Sequence, residues 1–197
     1  MKTIADIRND VKYLVSLYQK FIPMLPIYSF NDHHPYGIKA HTRSVSWLLE
    51  SFITQHTRLY CNKLGVSNVE WDFPDTSLHD SSFVENSKLI EFFINIKVHD
   101  INKKDSKNDI AAVEKLFNQY SKCSAYNIYY VCIGFEWGKN CIQLCKDYIH
   151  VFSPQFMPVY INPRNDKIQA FYNHTPILRT REEFLSKIRP AVDRIKV

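Results

Sequence analysis

"LIEFFINIKVHD", residues Leu89–Asp100, predicts a buried β-strand, because apolar side chains fill most of its positions. Asn95 and Lys97 interrupt the apolar run two residues apart. Strand residues i and i+2 point to the same face of a sheet, so these two polar side chains project together. The stretch therefore predicts a strand that brings an amide and an ammonium to one place.

The residues before this strand predict the first half of a β-hairpin, with its turn near "ENSK" at 85–88. With the turn centred near residues 87–88, position 80 falls opposite position 94 or 95. Asp80 then lies beside Asn95 and Lys97. Carboxylate and amide oxygens bind hard cations such as Mg²⁺, and a lysine can orient or deprotonate a water or stabilise developing negative charge. These side chains predict a site for metal-assisted attack of water on a phosphodiester.

The remaining elements place this hairpin between helices. Apolar residues recur with helical spacing in three segments, which are residues 3–22, 40–65 and 106–122. Ser106 or Asn108 can begin the third helix, and a capping box of Thr180 with Glu183 predicts a C-terminal helix. "YNIYYVCIGFEW", residues 126–137, predicts a central strand. The element order indicates an α/β fold with a mixed central β-sheet flanked by helices.

The composition is typical of a globular protein. The 197 residues, 45% of them hydrophobic, predict a single domain over residues 1–197. The chain has four glycines and neither "GxGxxG" nor "GxxxxGK", which argues against dinucleotide-binding and P-loop folds. The net charge of +5 favours an acidic partner, of which nucleic acid is the commonest.

Cysteine usage and hydropathy indicate the compartment. The five cysteines form no CxxC pair, which favours reduced thiols. The segment "MKTIADIRND" carries charges where a signal peptide needs an apolar run. No apolar run approaches the roughly 20 residues of a membrane span. We expect a cytoplasmic protein without a membrane segment.

The hairpin motifs "HD" at 79–80 and "NIK" at 95–97 resemble those of the PD-(D/E)xK nucleases. In that superfamily an Asp on one strand and an acid-x-Lys on the next bind Mg²⁺ and activate water. The resemblance covers about residues 39–135. The chain's size and basic end resemble a type II restriction endonuclease, nearest to the blunt-cutting branch of EcoRV and HincII. The resemblance implies a restriction-endonuclease-like core, Mg²⁺, and a homodimer that cuts double-stranded DNA at a short palindromic sequence.

Asn95 departs from this pattern, because the family has Asp or Glu at that position. Three explanations stay open: a variant in which Glu50 or Glu114 supplies the charge, an inactivating substitution, or a degenerate remnant. The literal "PD" at Pro74–Asp75 is a rival to Asp80. Glu50 sits among apolar residues of the second predicted helix, and the alternative for it is a solvent-facing position.

The resemblance implies a catalytic set of Asp80, Asn95, Lys97 and Glu50. Asp80, Asn95 and Glu50 would be the metal ligands, and Lys97 would position or activate water. Two alternatives follow from Asn95 and from the breadth of the superfamily. The first is a catalytically weak or inactive DNA-binding protein on the same fold, and the second is a repair or RNA nuclease.

The C-terminal part of the chain is expected to contribute to DNA recognition within residues 155–181. Residues 155–197 carry eight Lys and Arg and four Asp and Glu. Arg, Asn and Gln read base edges, whereas Lys and Arg meet phosphates; the alternative is a solvated surface. The candidate DNA-binding residues are Lys39, Arg43, Lys104, Lys107, Asn162, Arg164, Asn165, Lys167 and Gln169.

Overall fold

The computed structural model describes residues 3–29, 42–74, 77–122 and 128–195. The helices are α1 (Ile4–Phe21), α2 (Thr42–Leu59), α3 (Cys61–Leu64), α4 (Val113–Lys122) and α5 (Arg181–Ile195). The strands are β1 (Tyr28–Ser29), β2 (Val66–Glu70), β3 (Ser81–Glu85), β4 (Ile90–Asp100), β5 (Asn108–Ala112), β6 (Ile128–Trp137), β7 (Cys141–Phe152), β8 (Tyr160–Ile161) and β9 (Lys167–Ala170). Short 3₁₀ turns follow α1 and β7.

The described strands form two sheets. The larger has the order β1-β7-β6-β4-β3-β2, and the smaller has the order β5-β9-β8. β4 and β6 run parallel, while the other neighbours pair antiparallel. The predicted mixed central sheet is confirmed. No helix in the described ranges is long and apolar enough to cross a membrane.

Both faces of the larger sheet are covered. On one face, Ile94 and Ile96 of β4 join an apolar core with Leu14 of α1 and Leu49 of α2. On the opposite face, Tyr130 and its neighbours pack in a second core with residues of α4, α5 and the smaller sheet. Since helices or a second sheet lie on each side, β6 is apolar along nearly its whole length rather than alternating.

The hairpin of β3 and β4 has the predicted register. Ser81 lies opposite Ile94, which places Asp80 beside Asn95. β3 begins at Ser81, so residues 95–100 of β4 extend beyond the end of that neighbour while they stay paired with β6. The predicted site residues Asn95 and Lys97 lie along this open half of β4.

The predicted helix over 106–122 is wrong in its first third. Residues 108–112 form β5, and the helix begins at Val113. Ile110 is buried in the second core as part of β5, and the predicted helix would also bury it, so apolar spacing alone does not distinguish strand from helix. Pairing with β9, which lies far along the chain, decides the outcome.

Candidate active site

Asp80 is fixed by backbone groups of β4. Its N–H donates to the Ile94 carbonyl at 2.8 Å, and its carboxylate Oδ2 accepts from the Ile96 N–H at 2.6 Å. The Ile96 N–H lies where β3 has already ended, so the carboxylate takes the place of a ladder partner for it. Local backbone pairing therefore sets the orientation of the Asp80 carboxylate.

Asn95 is buried and hydrogen-bonds to the segment just before Asp80. Its Nδ2 donates to the Leu78 carbonyl at 3.0 Å. Its Oδ1 has no hydrogen-bond partner among the described residues. A buried acceptor without a partner costs free energy, and an amide oxygen is a suitable ligand for a hard cation.

Lys97 reaches Glu50 across the site. The distance from Lys97 Nζ to Glu50 Oε1 is 3.5 Å, and the two side chains are 19% and 22% exposed. Glu50 projects from the middle of α2, where the buried neighbours Leu49 and Ile53 fix the helix against the core. Glu50 therefore faces the site rather than open solvent.

The pKa values show that the two carboxylates share one half-buried environment. Burial raises the pKa of Glu50 to about 7; the Lys97 ammonium opposes that rise, and the charge of Asp80 adds to it. Burial also raises the pKa of Asp80, against the effects of Lys97 and the Ile96 N–H. Bringing a cation to this place would relieve the cost of ionising both groups.

The donor set fits Mg²⁺. Two carboxylates and the unpartnered Asn95 Oδ1 are oxygen ligands of the kind that this ion takes. In the described ranges no group of three or more His, Cys, Asp or Glu side chains could hold a metal. Glu114 is half-buried in the first turn of α4, and within those ranges it makes no hydrogen bond or ion pair with Asp80 or Lys97. The third ligand available here is thus an amide.

Asn95→Asp is expected to destabilise the metal-free protein, because a carboxylate oxygen would replace the Nδ2 that lies 3.0 Å from the Leu78 carbonyl oxygen. Loss of a donor at a buried acceptor costs about 1–3 kcal/mol. Thermal melts at pH 8 should show a lower Tm without metal and a larger rise on adding Mg²⁺ than in the parent. Asn9→Asp, exposed on α1, controls for added charge alone. An unchanged or higher metal-free Tm would contradict this.

The site opens on a cleft of about 530 Å³ between the two sheets. Four of the predicted DNA-binding residues line it together with Glu50 and Lys97; they are Lys107, Asn162, Lys167 and Gln169. An adjoining cavity is lined by Asn95 and Lys97 and also by Lys115. The structure therefore brings the expected recognition segment to the catalytic candidates, and it adds Lys115, which the sequence did not single out.

The remaining predicted DNA-binding residues have other surroundings. Lys104 is exposed on the loop after β4, and Arg164 is exposed on the turn between β8 and β9. Lys107 of the cleft also contacts an aromatic ring, since its Nζ lies 4.4 Å from the centre of the Tyr160 ring. Three further residues cannot be placed: Lys39 and Asp75 lie outside the described residues, and the side chain of Arg43 in α2 is not described.

Asp109 is a site residue that sequence reasoning missed. Its Oδ1 accepts from Asn162 Nδ2 at 3.2 Å and from Gln169 Nε2 at 2.8 Å, and its Oδ2 accepts from Asn165 Nδ2 at 2.7 Å. Burial alone would raise the pKa of Asp109, but these amides and Lys167 outweigh it and lower the pKa. The assignment of residues 106–112 to a helix concealed this carboxylate, since only β5 places Asp109 opposite Gln169.

Comparisons with known proteins bear on the fold. No protein-family model matches the chain, and no curated protein sequence matches it. The structure is similar to that of NlaIV restriction endonuclease, with a TM-score of 0.59 and 12% sequence identity over 94% of this chain and 78% of that chain. The chain therefore has a restriction-endonuclease-like fold, as its sequence predicted.

Proposed function

We propose that the chain is a Mg²⁺-dependent endonuclease that cleaves double-stranded DNA at a specific short sequence. One observation carries the proposal: Lys97 lies 3.5 Å from Glu50, beside Asp80 and the unpartnered Asn95 Oδ1, at the open half of β4. The restriction-endonuclease-like fold supports it. The type II class and the blunt-cutting branch remain predictions from the sequence.

Each side chain has a role in this chemistry. Asp80, Glu50 and Asn95 Oδ1 would hold Mg²⁺, which supplies Lewis-acid activation of the phosphate and of the attacking water. The Lys97 ammonium would stabilise the negative charge that develops on the phosphate. In the metal-free site Glu50 has a pKa of about 7, so near neutral pH it can lose its proton and become available as a ligand.

The cleft supports DNA as the substrate. Lys107, Lys115 and Lys167 line the space around Lys97, and ammonium groups in such positions meet backbone phosphates. Cutting both strands of a palindromic sequence needs two active sites related by a two-fold axis, so we propose a homodimer.

A catalytically weak or inactive DNA-binding protein is the second candidate function. It is favoured by the amide at Asn95, which leaves the site with two carboxylates where the related motif has a further acid. A neutral oxygen binds Mg²⁺ less tightly than a carboxylate. A repair or RNA nuclease is the third candidate and is separated from the first by its products.

Digestion of a supercoiled plasmid with Mg²⁺ tests the proposed function. Discrete linear fragments are expected, and they should be absent with EDTA. A smear of fragments would indicate a general nuclease, and cleavage of RNA alone an RNA nuclease. Intact plasmid, with DNA still bound in a gel-shift experiment, would favour the inactive DNA-binding protein.

The cleavage rate at limiting Mg²⁺ is expected to rise with pH through about 7. Glu50 must lose its proton to bind the metal, and its pKa is about 7 in the metal-free site. Below that pH the rate should fall about tenfold per pH unit for this one group. Saturating Mg²⁺ should move the midpoint to lower pH, because metal and protons compete for the carboxylate. A midpoint that does not change with Mg²⁺ concentration would contradict the assignment of Glu50 as a metal ligand.

A further inference from the structure

The turn between β8 and β9 is built by side chains that the sequence suggested for reading bases. Asn162 Oδ1 accepts from the Arg164 N–H, and Asn165 Oδ1 accepts from the Lys167 N–H, both at 3.1 Å. The Nδ2 groups of the same two asparagines donate to Asp109. Both ends of each amide therefore make a hydrogen bond within the protein, so both asparagines help to shape the turn.

The backbone closes the same turn. The Asp166 N–H donates to the Asn162 carbonyl at 2.9 Å, and the Asn162 N–H donates to the Lys167 carbonyl at 2.9 Å. Asp166 has a φ of 50°, a left-handed conformation that suits a tight turn. Its carbonyl accepts from the Val113 N–H at 3.2 Å, which ties the turn to the start of α4. The turn is a preformed unit attached to β5 and α4.

Two side chains of this unit remain available for DNA. Arg164 is exposed on the turn, between the two asparagines that shape it. Gln169 lines the catalytic cleft, and its contact with Asp109 uses Nε2 and leaves Oε1 outside that bond. The turn fixes the backbone of Arg164 through its N–H, and an arginine side chain can donate two hydrogen bonds to guanine O6 and N7 in the major groove. Its position depends on the turn, and the turn depends on Asp109.

We propose that Asp109 is a positioning residue for sequence recognition, which holds turn 162–166 in one conformation so that Arg164 meets a base edge. The inference rests on the proposed function, because it takes DNA as the ligand of the cleft. Fixing the turn before binding removes the cost of ordering it on the DNA. Asp109 lines the same cleft as Glu50 and Lys97, and its described side-chain hydrogen bonds are all with Asn162, Asn165 and Gln169.

The test exchanges the acceptor Asp109 and the donor Asn165, which hydrogen-bond to each other. In Asp109→Asn the new amide can keep its oxygen toward Asn162 and Gln169, but its NH₂ then faces the NH₂ of Asn165. Asn165→Asp alone sets two carboxylates against each other. The double variant Asp109→Asn with Asn165→Asp restores one donor and one acceptor at the same place, with the net charge unchanged.

Selection from a pool of randomised DNA duplexes, without divalent metal, measures recognition apart from cleavage. The parent chain should enrich one short sequence. Each single variant should lower the affinity ratio of that sequence to unselected DNA by about tenfold or more, and the double variant should restore most of the ratio. Affinity for unselected DNA should stay within about threefold throughout, since phosphate contacts supply it. Tm values show that every variant is folded.

Hydrogen exchange of residues 160–170 gives a second measurement. It should be faster in the single variants and return to the parent rate in the double variant. Faster exchange with an unchanged affinity ratio would overturn the inference, because Asp109 would then only stabilise the turn. A parent chain that enriches no sequence would also overturn it. The plasmid digest decides the proposed function separately, so the two failures are distinguishable.

Discussion

Lys97→Ala is expected to reduce the rate of DNA cleavage by about a hundredfold to a thousandfold, the usual loss when a donor to developing negative charge is removed. The ammonium also lowers the pKa values of Glu50 and Asp80. Its removal should therefore move the midpoint of the pH–rate profile above about 7. DNA affinity should change little, because Lys107, Lys115 and Lys167 still line the cleft.

Single-turnover cleavage of the plasmid, measured from pH 6 to 9, checks both expectations. Lys97→Arg should recover little of the rate, because a planar guanidinium places its charge and its donors differently from a compact ammonium. Lys88→Ala is the matched control, since Lys88 is exposed in the turn at the other end of the same hairpin. Undiminished cleavage by Lys97→Ala would contradict the catalytic role of Lys97. An unchanged pH midpoint would contradict its effect on the pKa values of the carboxyl groups.

The hairpin is the part of the site that the sequence predicts best. Turn position and the two-residue repeat of strands together fix the register, because a slip by one residue would move every apolar side chain to the wrong face. That register placed Asp80 beside Asn95 and Lys97, as the structure does. The contact of Lys97 with Glu50 needed the packing of α2 as well, which apolar spacing only suggested.

The smaller sheet depends on long-range strand pairing, which local residue spacing does not predict. Residues 108–112 have apolar positions compatible with a helix, and their conformation is decided by pairing with β9, more than fifty residues later in the chain. Without that pairing, Asp109 has no visible relation to Asn162, Asn165 or Gln169. The same gap concealed that two of the asparagines expected at the DNA also shape the turn, because composition does not show which hydrogen bonds are made within the protein.

Asp80→Asn is expected to abolish cleavage and to make the protein more stable at pH 8. An asparagine oxygen can still accept the Ile96 N–H, so the local structure is kept. Cleavage should fall about a thousandfold, because the principal metal ligand loses its charge. The free energy of unfolding at pH 8 should rise, because a neutral amide replaces a carboxyl group whose pKa burial raises. Urea unfolding at pH 8 and pH 4 checks the second expectation.

The expected gain in the free energy of unfolding follows from the direction of the pKa shifts. Burial raises the pKa values of both Asp80 and Glu50 in the folded protein, so each contributes full stability below its unfolded pKa and loses it as pH rises through its folded value. At pH 8 both carboxylates are ionised, at a cost to the fold. Asp80→Asn removes one of these charges, and it also lowers the pKa of Glu50, which the Asp80 charge raises.

The gain from Asp80→Asn should shrink as pH falls from 8 to 4, because protonation of a carboxyl group with a raised pKa gives a neutral group that resembles the amide. Mg²⁺ should raise the Tm of the parent at pH 8 and have little effect on the variant. A variant less stable than the parent at pH 8 would show that Asp80 is a structural carboxylate. A gain in stability that accompanies the loss of cleavage has another meaning: the fold tolerates two poorly solvated negative charges at this place because the metal and the phosphate require them.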